Sequence, residues 1–230
     1  VVVALSGNTV YSLLCDLNSR KITMRKAGTL LLFCCLFMAC SSNKQRNDES
    51  SANTTDAITK SEKTTPFQSA QLTYPGSDIS FDVSVQDKKL IIQPIGLSVS
   101  NDAFYHDITG YTVTNAEIGD LNLDSYPEVF VYLTSDGSGS YGKLIGYSVN
   151  NGKSASQVYL PEISENTKIN NGYMGHDEMA IIESTFCQRF PIYKDGDSNA
   201  KPTGGMRQIQ YKLVDGENCR ILQIDKVLEF

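Results

Sequence analysis

The chain has 230 residues, with 26 acidic side chains against 20 basic ones, six cysteines, two histidines and no tryptophan. A formal charge of −6 argues against a nucleic-acid-binding surface, which needs clustered Lys and Arg to neutralise phosphates. His106 and His176 stand at no ligand spacing, so zinc chemistry is not expected.

In chain order, Val1–Thr23 carries no readable signal and reads as an upstream extension of a frame that starts at Met24. Met24-Arg25-Lys26 is followed by an apolar run, Leu30 to Met38, and then by Ala39-Cys40-Ser41-Ser42. A basic start, a short apolar stretch and a small residue before the cut are the grammar of a secretory signal, here 24–39. The apolar run is too short to cross a hydrocarbon layer about 30 Å thick. Cys40 directly after Ala39 resembles the lipobox of bacterial lipoproteins. That resemblance implies that Cys40 is lipidated and becomes the new N-terminus. At about 0.8 kcal/mol per buried methylene, several acyl chains would hold the protein at a membrane. The expected place is the cell envelope, on the periplasmic side or the outer surface of the outer membrane, with the lipid as the only membrane contact.

Residues 1–39 hold four of the 20 basic and one of the 26 acidic side chains, so the remainder carries 16 against 25, a formal −9. Cys15, Cys34 and Cys35 precede the cut, which leaves Cys187 and Cys219 beside the lipid site. In an oxidising compartment that pair predicts one disulfide, on the order of 3–4 kcal/mol for its loop length. The alternative is two separately buried thiols. From Cys40 to position 65 the chain is polar and has almost nothing to bury, which predicts a disordered tether spanning roughly 25–30 Å.

Residues 66–230 are long enough for one domain with its own core. Ile79, Phe81, Val83 and Val85 alternate with polar residues, and Leu90 to Leu97 is apolar-rich. Val129 to Leu133 is a continuous β-prone run, as expected of a strand buried on both faces. Leu144–Val149, Phe190–Tyr193, Ile209–Val214 and Ile221–Ile224 read as further strands, with hairpin turns at Asn150-Asn151-Gly152 and Asp215-Gly216. The last turn places Cys219 at the start of the final strand, beside the strand expected near Cys187. Gly175 to Ser184 reads either as a helix or, through Met179 to Ile182, as a strand. The predicted fold is all-β, a mainly antiparallel sandwich or barrel-like sheet with little helix.

Enzyme signatures fail one by one. Gly137-Ser138-Gly139-Ser140-Tyr141-Gly142 matches G-x-G-x-x-G by letter, but a dinucleotide site needs a helix next, and Lys143 to Val149 is strand-like. Gly152-Lys153-Ser154 mimics a P-loop ending, yet Tyr147 stands where the first glycine belongs. No serine satisfies G-x-S-x-G. Abundant carboxylates leave a polysaccharide hydrolase open without singling out a pair, and no enzyme is expected. Asp120, Asn122 and Asp124, with Glu128 four residues on, resemble a calcium loop with alternating oxygen ligands. The other reading is an Asx-rich turn between two strands. Calcium is the one cofactor raised.

The 137–142 stretch admits one more reading. Its small residues let the backbone bend at a narrow tip, where Ser138 and Tyr141 offer hydroxyl donors to carboxylates. Here the chain resembles the periplasmic inhibitors of invertebrate-type lysozyme. The resemblance rests on Gly119 to Glu128, a strand, Ser138-Gly139-Ser140-Tyr141-Gly142, and Tyr147 to Ser154. Further support comes from Gly172 to Glu178, Arg189-Phe190-Pro191-Ile192-Tyr193, and Pro202 to Arg207 running on to Tyr211-Lys212-Leu213. It implies an all-β domain whose Ser-Gly-x-Tyr loop plugs a lysozyme active site. Ser138 and Tyr141 would then donate to the catalytic carboxylates, with Gly139 and Gly142 permitting the loop shape. An acidic surface would steer a cationic enzyme towards it.

Overall fold

The computed structural model describes residues 66–230. The expected signal, the lipid site Cys40 and the tether lie outside the described residues.

Two mainly antiparallel sheets build the fold. The smaller takes β1 (Ser69–Thr73), β2 (Ser80–Gln86), β3 (Lys89–Ile95) and β4 (Phe104–Asp107) in that order. The larger has eight strands: β5 (Tyr111–Gly119), β6 (Glu128–Ser135), β7 (Gly142–Asn150), β8 (Ser154–Tyr159), β9 (Glu178–Ile182), β10 (Thr185–Pro191), β11 (Met206–Asp215) and β12 (Arg220–Glu229). Their spatial order is β5-β6-β7-β8-β12-β11-β10-β9. Every pairing is antiparallel except β12 with β8, which is parallel over Arg220–Val158 and Ile221–Tyr159. The end strands β9 and β5 come round to each other, where the Ile181 amide donates to Glu117 Oε2 at 2.8 Å. The sheet is therefore barrel-like and nearly closed, and the all-β expectation holds. Among the described residues the helical content is one 3-10 turn, Ile163–Glu165.

Strand periodicity decides what goes where. On β6 the odd positions Val129, Val131 and Leu133 face the small sheet, meeting Phe81, Val83, Leu90 and Ile92. Its even positions Phe130 and Tyr132 face the barrel interior, with Phe186, Phe190, Ile209, Tyr211 and Leu222. One strand thus serves two cores, which explains why its sequence is an unbroken apolar run. All five side chains are at most 3 % exposed. Truncating one of the aromatic pair would cost about 3–5 kcal/mol in transfer and cavity energy.

Two sequence expectations change. The ambiguous Gly175–Ser184 segment contains the strand β9, not a helix. The Cys187–Cys219 disulfide is corrected: both cysteines are free. Cys187 sits in β10 opposite Gln210, whereas Cys219 lies in the turn that pairs Asp215 with Arg220. β11 runs between the two, and five residues of strand separate their levels, about 17 Å at 3.4 Å per residue. A disulfide needs Cα atoms within about 7 Å. Sequence reading placed the last strand beside β10, where β11 intervenes.

Candidate functional site

Two polar loops flank β6, and they are built differently. At its N-terminal end lie Asp120, Asn122, Asp124 and Glu128, the residues with calcium-like spacing. Asp120 accepts hydrogen bonds from the Asp124 amide (3.1 Å) and the Ser125 amide (2.9 Å), one on each carboxylate oxygen. Asp124 accepts from the Tyr126 amide at 2.9 Å and from Asn122 Nδ2 at 2.9 Å. Glu128 has no solvent exposure and accepts from the Leu121 amide (2.8 Å) and Ser148 Oγ (2.7 Å). A cation is already present. The Arg220 guanidinium donates to Asp124 Oδ2 at 2.7 Å, to the Val149 carbonyl at 3.0 Å and to Ser148 Oγ, and lies 3.8 Å from Glu128. Burial pushes Glu128 up to about 7, against the pull of Ser148, the Leu121 amide and Arg220. The four acidic-turn residues are thus brought together as an internally bonded turn with Arg220 as its cation. The positive backbone angles of Leu123 and Ser125 belong to that tight turn.

At the other end of β6, residues 136–141 connect to β7. Tyr141 closes the loop against Ser135: the Ser135 amide donates to the Tyr141 carbonyl, and the Tyr141 amide to Ser135 Oγ at 2.8 Å. The loop does not stand free. It is laid on a segment far along the chain, where the His176 amide donates to the Gly139 carbonyl at 2.7 Å. Asn199 Nδ2 donates to the Ser138 carbonyl at 2.6 Å, and the Gly142 amide donates to Asp177 Oδ2 at 2.8 Å. Gly175 allows this approach, because a Cβ there would fall 2.1 Å from the Gly139 oxygen. A Cβ on Gly142 would fall 2.6 Å from that of Asp177. The loop glycines serve close packing as much as bending.

Asp177 anchors the arrangement, a role that sequence reading missed. Besides Gly142 it accepts from the Tyr173 hydroxyl at 2.8 Å and from Gln188 Nε2 at 2.8 Å. Gln188 Oε1 in turn accepts from the buried Tyr211 hydroxyl at 3.0 Å. A chain of hydrogen bonds therefore runs from the loop into the barrel interior. Desolvation, then Asp177, raises the Tyr173 hydroxyl far above its ordinary value, so it stays a donor. The only forward hint in sequence was the cluster Gly175-His176-Asp177, whose partners are remote.

With the Gly137, Ser138, Gly139 and Tyr141 carbonyls spoken for, the loop presents side chains. Ser138 is exposed, and Tyr141 is 45 % exposed. Neither hydroxyl has a hydrogen-bond partner among the described residues. The Tyr141 ring lies back over Gly139 and meets Tyr173 edge-on at 5.7 Å. Its orientation is set while its hydroxyl remains unspent. Ser138, Gly139, Ser140, Tyr141 and Gly142 thus form one pinned tip that carries two hydroxyls without partners among the described residues.

No family model, no curated protein and no solved structure matches this chain.

Proposed function

We propose that the protein inhibits a lysozyme of the invertebrate type by presenting the Ser138–Tyr141 tip to the enzyme's catalytic carboxylates. On this reading it is an exported lipoprotein, anchored through Cys40 in the cell envelope, and it binds without catalysing. The observation that carries the proposal is the pairing of a pinned backbone with two unspent hydroxyls. A lysozyme groove offers two carboxylates. Hydrogen bonds to charged acceptors contribute about 1.5–3 kcal/mol each, and a tip fixed beforehand loses little entropy on docking. The excess of acidic side chains beyond position 39 favours encounter with a cationic enzyme, more at low salt than at high.

The test is a cell-wall lysis assay across lysozyme types, comparing the wild type with a Ser138→Ala/Tyr141→Ala double variant. Loss of even one charge-assisted bond weakens inhibition about tenfold or more, at 1.4 kcal/mol per decade. Equal potency of the two proteins would remove the tip from the mechanism. Absence of inhibition for every lysozyme type would remove the function.

A further inference from the structure

Beside the tip the surface sinks into a cleft of about 370 Å3, within the range of small-molecule sites. Its walls come from segments distant in sequence: Tyr111 on β5, Tyr141 and Lys143 around the start of β7, Tyr173, and Glu162 with Ser164 on the far rim. A second hollow of about 170 Å3 shares Lys143, Glu162 and Tyr173, and extends the groove to Gln157 and Tyr159 of β8. The two hollows adjoin across these shared residues, and tyrosines line both.

Its chemistry is specific. Tyr141 and Tyr159 are 45 % and 49 % exposed, leaving aromatic surface open to a ligand. Tyr173 is fixed as a wall by its bond to Asp177 and by edge-on packing against Phe190 at 4.6 Å. The Lys143 ammonium lies 4.9 Å from the Tyr111 ring centre. Neither Lys143 nor Glu162 forms a salt bridge among the described residues. An ammonium resting on Tyr111 and a carboxylate, neither of them in a salt bridge among the described residues, therefore line the same cleft.

A purely apolar ligand would strip water from both charges without replacing their hydrogen bonds. A polyanion meets a single lysine on an acidic protein, and a compact cation would have to displace that lysine from Tyr111. A sugar chain satisfies all the groups together. Its C–H faces stack on tyrosine, neighbouring hydroxyls donate to Glu162, and hydroxyl or carbonyl oxygens accept from Lys143. We propose that this groove binds an oligosaccharide, with Tyr141 and Tyr159 as stacking surfaces and Lys143 and Glu162 as its polar contacts. Because Tyr141 belongs to both the groove and the tip, a bound sugar chain and a bound lysozyme compete.

The test titrates chitotriose and, separately, cellotriose into the full chain by calorimetry, alongside Lys143→Ala and Glu162→Gln variants. Saturable binding of either sugar, weakened about fivefold or more by each variant, is the expected result. If only one sugar binds, the proposal stands and the ligand class narrows to that sugar. No saturable binding of either, or variants that bind as tightly as the wild type, overturns it. Both variants leave the Ser138 and Tyr141 hydroxyls in place, so lysozyme inhibition persists in them. Failure here is thereby separated from failure of the inhibitor reading.

Discussion

At one end of β6, the turn from Asp120 to Glu128 folds its oxygens inward onto its own amides, Ser148 and Arg220. At the other end, the loop before β7 gives up its backbone to Asp177, His176 and Asn199 but leaves the Ser138 and Tyr141 hydroxyls without partners among the described residues. Both loops look alike as sequence, being short, polar and rich in turn-forming residues. What separates a structural turn from a recognition tip is whether the chain supplies the partners. The acidic turn receives Arg220 from the far strand β12, and nothing described reaches the hydroxyls of the tip.

The largest expected effect breaks the acidic turn. Arg220→Met takes the counter-charge from part-buried Asp124, and above about pH 7 from buried Glu128 as well, costing about 3–5 kcal/mol in urea unfolding at pH 8. A loss below about 1 kcal/mol would mean the turn does not depend on the arginine. Next comes the brace of the tip. Asp177→Ala strands the Gly142 amide, the Tyr173 hydroxyl and the Gln188 amide, at about 2–3 kcal/mol, and speeds hydrogen exchange at Gly142. Unchanged exchange there would show that the loop holds itself.

Proton linkage gives a similar size with a defined sign. Glu128 binds its proton more tightly in the folded protein, near 7, than at its ordinary value of 4.5. Folding therefore favours the neutral acid, and stability falls as pH rises through that window, by on the order of 3 kcal/mol. His106, lowered by burial and then by Lys143, acts the other way, losing stability as pH falls below its ordinary 6.5. Comparing wild type with Glu128→Gln isolates the first contribution. The variant loses the downward slope between 4.5 and 7, and identical slopes in both proteins would assign it elsewhere. The smallest expected effect is none at all. Melting in calcium and in chelator coincides, because the turn's carboxylates already hold amides and a guanidinium; a calcium-dependent rise would show an ion outcompeting Arg220.

How far the sequence could be read follows from the range of the interactions. β6 was legible because both its faces are apolar, and the turns after β7 and β11 because Asn151-Gly152 and Asp215-Gly216 encode them locally. β5 was missed. Its alternation is broken by a bulge at Thr114, between Val113 and Asn115, and its exposed positions are polar. β8, with Ser154, Ala155, Ser156 and Gln157, offers little apolar signal. The parallel join of β8 to β12 is not encoded in either strand, and the Cys187–Cys219 pairing failed for the same reason: sheet order is a tertiary property. At the tip, the residue types at 138–142 were readable. Their anchoring to Asp177 and Asn199 was not, since those partners lie 35 and 61 residues away in sequence.

The most direct test measures binding and folding together, through calorimetric titration of an invertebrate-type lysozyme into wild type and Ser138→Ala/Tyr141→Phe protein, which keeps the ring packed on Tyr173, with a melting curve for each. Unpartnered hydroxyls predict that affinity drops about tenfold or more while melting barely moves. Undiminished affinity in the double variant, or melting that collapses with it, would contradict the claim that those two hydroxyls are kept free for a partner.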